Sequence, residues 1–591
     1  MKRTSYILLS LLIPSLASCN LEEQPVAQTG KDAIFENEEG LVLYTNSLYD
    51  TPPSHGWRSR SDGYGFGCFT GAIDYFNADY DGAANAGQLY YGTPRACNYF
   101  LENNTSAKVP ESVRNNYNGI ARYFLANWYA YMVLAYSDIP LVDHVVDVKE
   151  TDVLYGPRDP RTKVAEFVYD NYKYALDNIA ALYESSASTI TKNVVAFQMA
   201  KYCLYEGSWR KYHSDLGLGS TANEWFQRAV DAAEVVINSG KQSLHSNWGE
   251  IFTAASPETV SDEGIFIYRY GQGINSYHNT TKCENSPSFL GGPTCKSRYL
   301  VNMFLNADGS RFTDNPNYES MNFIDECKNR DPRFAMTFRT PTYMRTQTDG
   351  TRHHAGLEMD MNYNGYMSRK FCSDNERYDN ETDETTCMVP MRYSELLLIW
   401  AEAKCELGNF TDADWAASVG AIRRRAGITG GLTTRPTVAD PYLANLFKHT
   451  SDPVMLEIIR ERFIELMGEG HEKDDIYRWA DTGIISLPQY GIWIEGVDRN
   501  LDLDGDGVYD TYFYTGDSAP ADAVSTIKYR QIDPTPGLGN KKCLLSLAED
   551  GHRLVYNCIL DRPVFNPRCY YSPISTLDIT LNPNLKQTPG W

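Results

Sequence analysis

The sequence has no Cys-x-x-Cys spacing, no Gly-Lys-Ser/Thr phosphate loop and no His-Glu-x-x-His pair. The first absence argues against thiol redox chemistry and structural zinc, which use closely spaced cysteines. His471-Glu472-Lys473-Asp474-Asp475 begins like a zinc-protease helix but lacks the second histidine, and Gly271-Gln272-Gly273 stops short of a dinucleotide fingerprint. His353 and His354 are adjacent, so their rings diverge on most backbones, and a surface loop is the expected setting. Basic residues are scarce, 54 Lys+Arg against 76 Asp+Glu, and the net charge of −22 argues against nucleic acid. With so many carboxylates some pair always falls at glycosidase separation, so their number carries no catalytic meaning. What is plentiful is tyrosine, 42 in 591 residues. Tyrosine joins an apolar face to a polar tip, which suits core packing and binding surfaces alike.

The N-terminus narrows the class. Lys2-Arg3 precede a short apolar run, Tyr6 to Leu12, that is too short to span a membrane as a stable helix. It ends Leu16-Ala17-Ser18-Cys19, which resembles a bacterial lipobox. In that reading residues 1–18 are a lipoprotein signal peptide, Cys19 is the lipidated mature N-terminus, and 19–35 form a tether. The alternative is an ordinary signal peptide with a chance cysteine. Glu22-Glu23 resemble surface-export signals of outer-membrane lipoproteins. No later stretch reaches spanning length, so lipid alone would hold the protein to a membrane. Of the 13 cysteines, 12 remain beyond Cys19. Cys283/Cys295, Cys372/Cys387 and Cys558/Cys569 are close in sequence, but spacing does not fix connectivity. Cys203 and Cys405 sit on apolar helix faces and read as buried thiols.

Helical periodicity is densest from Met391 to Asn409. Tyr393, Leu396, Leu397, Trp400, Ala401 and Leu407 make one apolar wall, and Leu398, Ile399, Ala403 and Cys405 cover the others. A helix apolar nearly all round is buried between neighbours. Gly408-Asn409 supplies a left-handed stop. A second helix starts at Thr411, with Ala413, Ala417 and Gly420 expected where it crosses the first closely. The spacing is that of a tetratricopeptide (TPR) hairpin. Upstream, helices are expected at Glu38–Tyr49, Tyr117–Tyr136, Thr162–Tyr183, Asn193–Lys211 and Asn223–Asn238, and downstream at Met455–Trp479. The fold expected is mainly α: TPR-like hairpins form a scaffold, with long irregular insertions and few short strands. The regions are 36–240 (helical, with an aromatic loop at 57–100), 241–390 (an irregular insertion), 391–481 (helical) and 482–591 (loop-rich).

Six segments stand out in order: Ala121-Arg122-Tyr123 through Asp138-Ile139-Pro140-Leu141, Arg330-Asp331-Pro332-Arg333, Arg392-Tyr393-Ser394-Glu395 onward, Arg424-Arg425-Ala426-Gly427, Arg460-Glu461-Arg462 through Glu469-Gly470-His471, and the ending Asn582 to Trp591. Together they resemble the SusD/RagB family of surface lipoproteins. Ser137 stands where the family usually has glycine, and Arg423 adds a charge. The resemblance implies an outer-membrane binding protein of a Gram-negative bacterium that is not an enzyme. Its implied partner is a SusC-like TonB-dependent transporter, and its ligand a glycan, or a peptide as in some relatives. A surface glycan hydrolase and a ligand-free scaffold are the rival readings.

On physical grounds Arg392, Glu395, Glu402, Arg460, Glu461, Arg462 and Glu465 lie on apolar helices, so they are expected to pair with one another and lock helices together. Two binding sites are expected. Trp57, Tyr64, Tyr75, Tyr80 and Tyr91, with Tyr277 and Tyr299 from the insertion, are candidates for stacking on sugar faces. Asp502, Asp504, Asp506, the Val508 carbonyl and Asp510 occupy positions 1, 3, 5, 7 and 9 of an EF-hand-like loop, a candidate structural calcium site. Position 12 is Phe513, so the bidentate glutamate is missing, and an acidic solvent-exposed turn is the alternative.

Overall fold

The computed structural model describes residues 30–49, 66–68, 81–285, 295–357, 359, 363–533, 545–556 and 564–591. The N-terminal half is built from helices α1 (Glu38–Asn46), α2 (Gly92–Asn103), α3 (Glu111–Tyr136), α4 (Arg161–Asn178), α5 (Lys192–Tyr212) and α6 (Ala222–Ser239). α3 packs on α4 and α5 on α6. Two glycines set how closely these pairs approach. A Cβ at Gly119 would meet Ile179 at 2.8 Å, and one at Gly207 would meet the Phe226 ring at 2.7 Å. Ala196 and Ala229, 33 residues apart, are both fully buried in this core. Ser137 ends α3 with φ +65°, a positive value that glycine adopts most readily.

The Met391–Asn409 stretch forms α7 (Tyr393–Glu406). Every residue from Ser394 to Ala403 is buried, as its all-round apolar character requires. Leu396, Ile399, Trp400 and Ala403 join the N-terminal core. Leu397, Leu398 and Ala401 pack instead with Phe410, Trp415, Val419 and Ile422. Gly408 has φ +72° and closes the helix. The second half of the hairpin differs from expectation. It breaks at Ser418 into α8 (Asp412–Ala417) and α9 (Val419–Ala426). Ala413 and Ala417 face solvent, so they are not the crossing point. Gly420 is small because the Leu432 carbonyl of the following loop lies against it. The helix expected at Met455–Trp479 is also two: α10 (Pro453–Glu465) and α11 (Glu472–Arg478), separated where Gly468 and Gly470 take positive φ.

The strands are short. β1 (Gly67–Cys68) pairs antiparallel with β3 (Cys295–Lys296), and β2 (Gly264–Tyr268) with β6 (Met388–Arg392). β4 (Met344–Thr346) and β5 (Arg352–His354) form a hairpin. In the C-terminal region β7 (Tyr490–Trp493), β11 (Leu545–Leu547) and β12 (Arg553–Tyr556) make one sheet, and β8 (Asn500–Leu501), β9 (Thr511–Tyr514) and β10 (Lys528–Gln531) another. A last helix, α12 (Thr576–Leu581), precedes the C-terminus. Cys203, Cys372 and Cys387 are buried free thiols, and Cys405 is a partly buried one. Among the described residues no helix is long and apolar enough to cross a membrane.

The charges on α7 and α10 are paired inside the molecule. β6 delivers Arg392 to the start of α7, where its guanidinium donates to Glu263 at 3.0 Å, Glu465 at 2.5 Å and Glu469 at 2.6 Å. Glu465 also accepts from Arg333 and Arg425, and from the Trp248 indole at 3.1 Å. Burial works to raise the Glu465 carboxyl, and Arg425, Arg392 and Arg333 outweigh it, holding the group well below the usual carboxylate range. Glu461 pairs with Arg333 and Arg423, Glu402 with Arg478, Arg462 with Asp475 and Arg460 with Asp440. Glu395 faces Lys201 at 3.0 Å and His471 at 3.6 Å. Arg330 differs: it donates to the carbonyls of Glu326, Val301 and Phe304 and lies on the Phe312 ring. These groups hold helices and turns in place.

Candidate functional site

The aromatic loop and the insertion meet at β1 and β3. Phe66, just before β1, is buried edge-on against Phe447 and Phe463. Its amide donates to the Glu472 carboxylate at the start of α11, and its carbonyl accepts from Ser297 at 2.6 Å. The aromatic loop is thereby pinned to the helical body near its start. Tyr299 lies three residues past β3, and its ring stacks on Tyr490 of β7, centroids 5.8 Å apart. The Arg553 guanidinium sits 5.4 Å from the Tyr490 ring, and Arg553 also pairs with Glu319. Tyr363 stacks on Tyr556 of the same sheet at 5.0 Å, with Arg530 over its face. Tyr299, Tyr490 and Arg553 thus form one patch on the β7–β12 sheet, whereas Tyr556, next in β12 to the Val555 that pairs with Tyr490, is buried and faces the other side.

Of the seven aromatic candidates, Trp57, Tyr64, Tyr75 and Tyr80 lie outside the described residues, as does Cys19. The other three occupy different places. Tyr299 belongs to the patch just described. Tyr277 is a surface residue, 37 % exposed, beside the bridge from His278 to Glu384. Tyr91 lines a groove of about 550 Å³ formed by the start of α2, the Pro140–Gly156 segment and the C-terminal α12. Its ring packs on Trp128 at 4.8 Å and its hydroxyl donates to the Pro140 carbonyl at 2.8 Å. Burial first, then Tyr129, Asp159 and Asp578, push its phenol far above the ordinary range. Its neighbour Tyr90 is 76 % exposed on the groove rim, and its ring lies over Gly92. Tyr90, Tyr490 and Tyr363 were not singled out from the sequence. Tyr90 carried a local signal, being next to Tyr91, whereas the pairing of Tyr299 with Tyr490 joins positions nearly two hundred apart.

In the acidic loop the carboxylates of Asp502, Asp504 and Asp510 converge, each offering an oxygen within 4.8 Å of the others. Asp502 accepts from the amides of Gly505 and Gly507, and Asp510 from that of Leu503 at 2.8 Å. The second Asp510 oxygen is buried without a hydrogen bond. Burial pushes the Asp510 carboxyl up to about 6. Asp506 is exposed and caps the Val508 amide at 2.7 Å, outside the convergent three. His353 and His354 diverge, as adjacency implies: His353 contacts Glu376 at 2.6 Å and His354 contacts Asp504 at 3.1 Å. They lie on strand β5, where a loop was expected.

A family model for the SusD family matches residues 257–591. Solved structures share the fold. A SusD-like protein from Bacteroides fragilis superposes with a TM-score of 0.65 at 18% identity, over 95% of this chain and 98% of its own. A SusD-like carbohydrate binding protein from Bacteroides fragilis gives 0.64 at 17%, over 94% and 100%. A SusD superfamily protein from Parabacteroides distasonis gives 0.56 at 16%, over 94% and 99%. No curated protein matches the chain.

Proposed function

The chain belongs to the SusD family, and from that premise we propose that it is a cell-surface nutrient-binding lipoprotein that captures a glycan. It is anchored through Cys19 in the outer membrane of a Gram-negative bacterium, facing outward. It passes its ligand to a SusC-like TonB-dependent transporter, acting as the transporter's lid while the helical body provides the docking face. The solved relative named as carbohydrate binding supports the ligand class. The observation that carries the reading is the β1–β3 junction, which ties the aromatic loop to the Tyr299–Tyr490 patch on a rigid scaffold. Aromatic rings stack on the C–H faces of sugars, and tyrosine hydroxyls can both donate to and accept from sugar hydroxyls. Replacing Tyr490 with alanine is expected to weaken oligosaccharide binding about tenfold, or ~1.4 kcal/mol, as read by calorimetry. Unchanged affinity would remove the patch from the site.

The action is binding without catalysis. Glu402, Glu457, Glu461 and Glu465 are committed to arginines, Glu395 faces Lys201 and His471, and Glu406 pairs with Lys211, which supports this. New reducing ends on incubation with polysaccharide would favour the rival hydrolase. A peptide ligand is the second reading, because the patch contains no group that accepts only sugars.

We also propose that Asp502, Asp504 and Asp510 hold a calcium ion that stiffens this loop. Three carboxylates with one buried oxygen left unbonded suit a hard cation. Without metal, the raised Asp510 pKa means stability present at low pH is lost as pH rises through about 6. Calcium at a hundred times its Kd would add about 2.7 kcal/mol. The melting temperature should therefore fall on chelation in the native chain but not in Asp504→Asn. Identical melts with and without chelator would refute the site.

A further inference from the structure

The groove at α2 and α12 has a chemistry unlike that of the tyrosine–arginine patch. Its polar groups are largely spent within the protein. The Tyr91 hydroxyl serves Pro140, Asp578 accepts the Leu89 amide at 2.8 Å, and the Asn582 amide donates to Gly156 at 2.9 Å. What faces the opening is mainly aliphatic, with few free groups to match sugar hydroxyls. The apolar surface continues beyond the groove. Of the lining residues Tyr90, Leu154 and Leu581 are 45–76 % exposed, and Val148, Tyr155 and Leu577, close to lining residues in sequence, are 49–83 % exposed. Scattered single residues are ordinary, whereas such a gathering on one face marks an interaction surface.

The charge around this surface has one dominant sign. His144 lies between Asp143 at 3.0 Å and Glu150 at 2.8 Å. Asp147 and Asp152 are on the same segment, and Asp159 and Asp578 sit beside Tyr91. Lys163 is engaged with Asp159 at 2.7 Å, and Arg95, Lys149 and Lys586 are exposed cations around the groove, fewer than the carboxylates. An acidic rim disfavours an anionic membrane surface and favours a cationic partner.

We propose that this groove docks a polypeptide segment of a partner protein that presents apolar side chains flanked by lysine or arginine. The proposal stands apart from the glycan reading, because it uses neither Tyr299 nor Tyr490. Apolar anchors fill the groove between Leu154 and Leu581, and the basic flanks meet the carboxylates of the 143–152 segment. Binding therefore depends on both apolar contact and salt.

The test uses the full mature chain and three labelled peptides of equal length: Leu/Lys amphipathic, Leu/Glu amphipathic and Ser/Lys. The Leu/Lys peptide is expected to bind and to slow hydrogen exchange at residues 89–95, 140–156 and 577–585. Leu581→Lys and Leu154→Lys replace exposed side chains and should each weaken it about tenfold. Val564→Lys, at an apolar position 86 % exposed, serves as the control and should change nothing. Absence of Leu/Lys binding would overturn the proposal. So would equal binding of Ser/Lys, which signals general attraction to an acidic chain, or of Leu/Glu. Loss of oligosaccharide affinity in Leu581→Lys would show a glycan occupant and overturn it too.

Discussion

Glu465→Ala is expected to lower the unfolding free energy by about 4 kcal/mol, read as an earlier midpoint in urea. The residue is fully buried, and its carboxylate is shared by Arg392, Arg425 and Arg333. Removing it strands three guanidinium charges away from water, with Glu263, Glu469, Glu461 and Asp331 left as partial compensation. A pair replaced by apolar residues can be neutral, but removing one partner leaves uncompensated charge. Glu465→Gln keeps the shape and loses the charge, so it should fall between native and alanine. The same substitution would leave oligosaccharide affinity of the folded fraction intact. A midpoint within ~0.5 kcal/mol of native would show that these ion pairs do not lock α7, α9 and α10 together.

Cys19→Ala is expected to move the protein from the membrane fraction to the soluble fraction. No helix of the described residues is long and apolar enough to cross a bilayer. In the lipobox reading the attachment is therefore acyl chains on Cys19, each buried methylene contributing ~0.8 kcal/mol. Losing the cysteine removes the acyl chains with no change in fold, and the shift is read in cells without the partner transporter, where docking cannot retain the protein. Labelled palmitate should enter the native chain and not the variant. Membrane association unchanged by the substitution would refute lipidation at Cys19.

The helical body was legible because its signals are local. All-round apolar content placed α7 inside, and charges on apolar helices implied the Arg–Glu pairs that the structure contains. Element ends were less legible. Met467-Gly468-Glu469-Gly470 carries two glycines that break the expected helix, whereas the tetratricopeptide spacing runs straight through the Ser418 break between α8 and α9. Small residues at Ala413 and Ala417 fit a crossing pattern, yet they face solvent because Trp415, Val419 and Ile422 do the packing. The candidate site was legible only in residue type. Aromatic excess pointed to Tyr91 and Tyr299, but their surroundings come from α12 and β7, hundreds of residues away in the chain. In the acidic loop, the one-three-five spacing put Asp506 beside its neighbours in sequence, while the backbone turned it outward to cap Val508.

The most direct measurement is calorimetry of the mature protein against panels of oligosaccharides and peptides, with Tyr490→Ala alongside. The account predicts saturable heat with at least one oligosaccharide class, weakened in the variant, and no release of new reducing ends. A panel blank for every glycan, with saturable peptide binding or none at all, would contradict it.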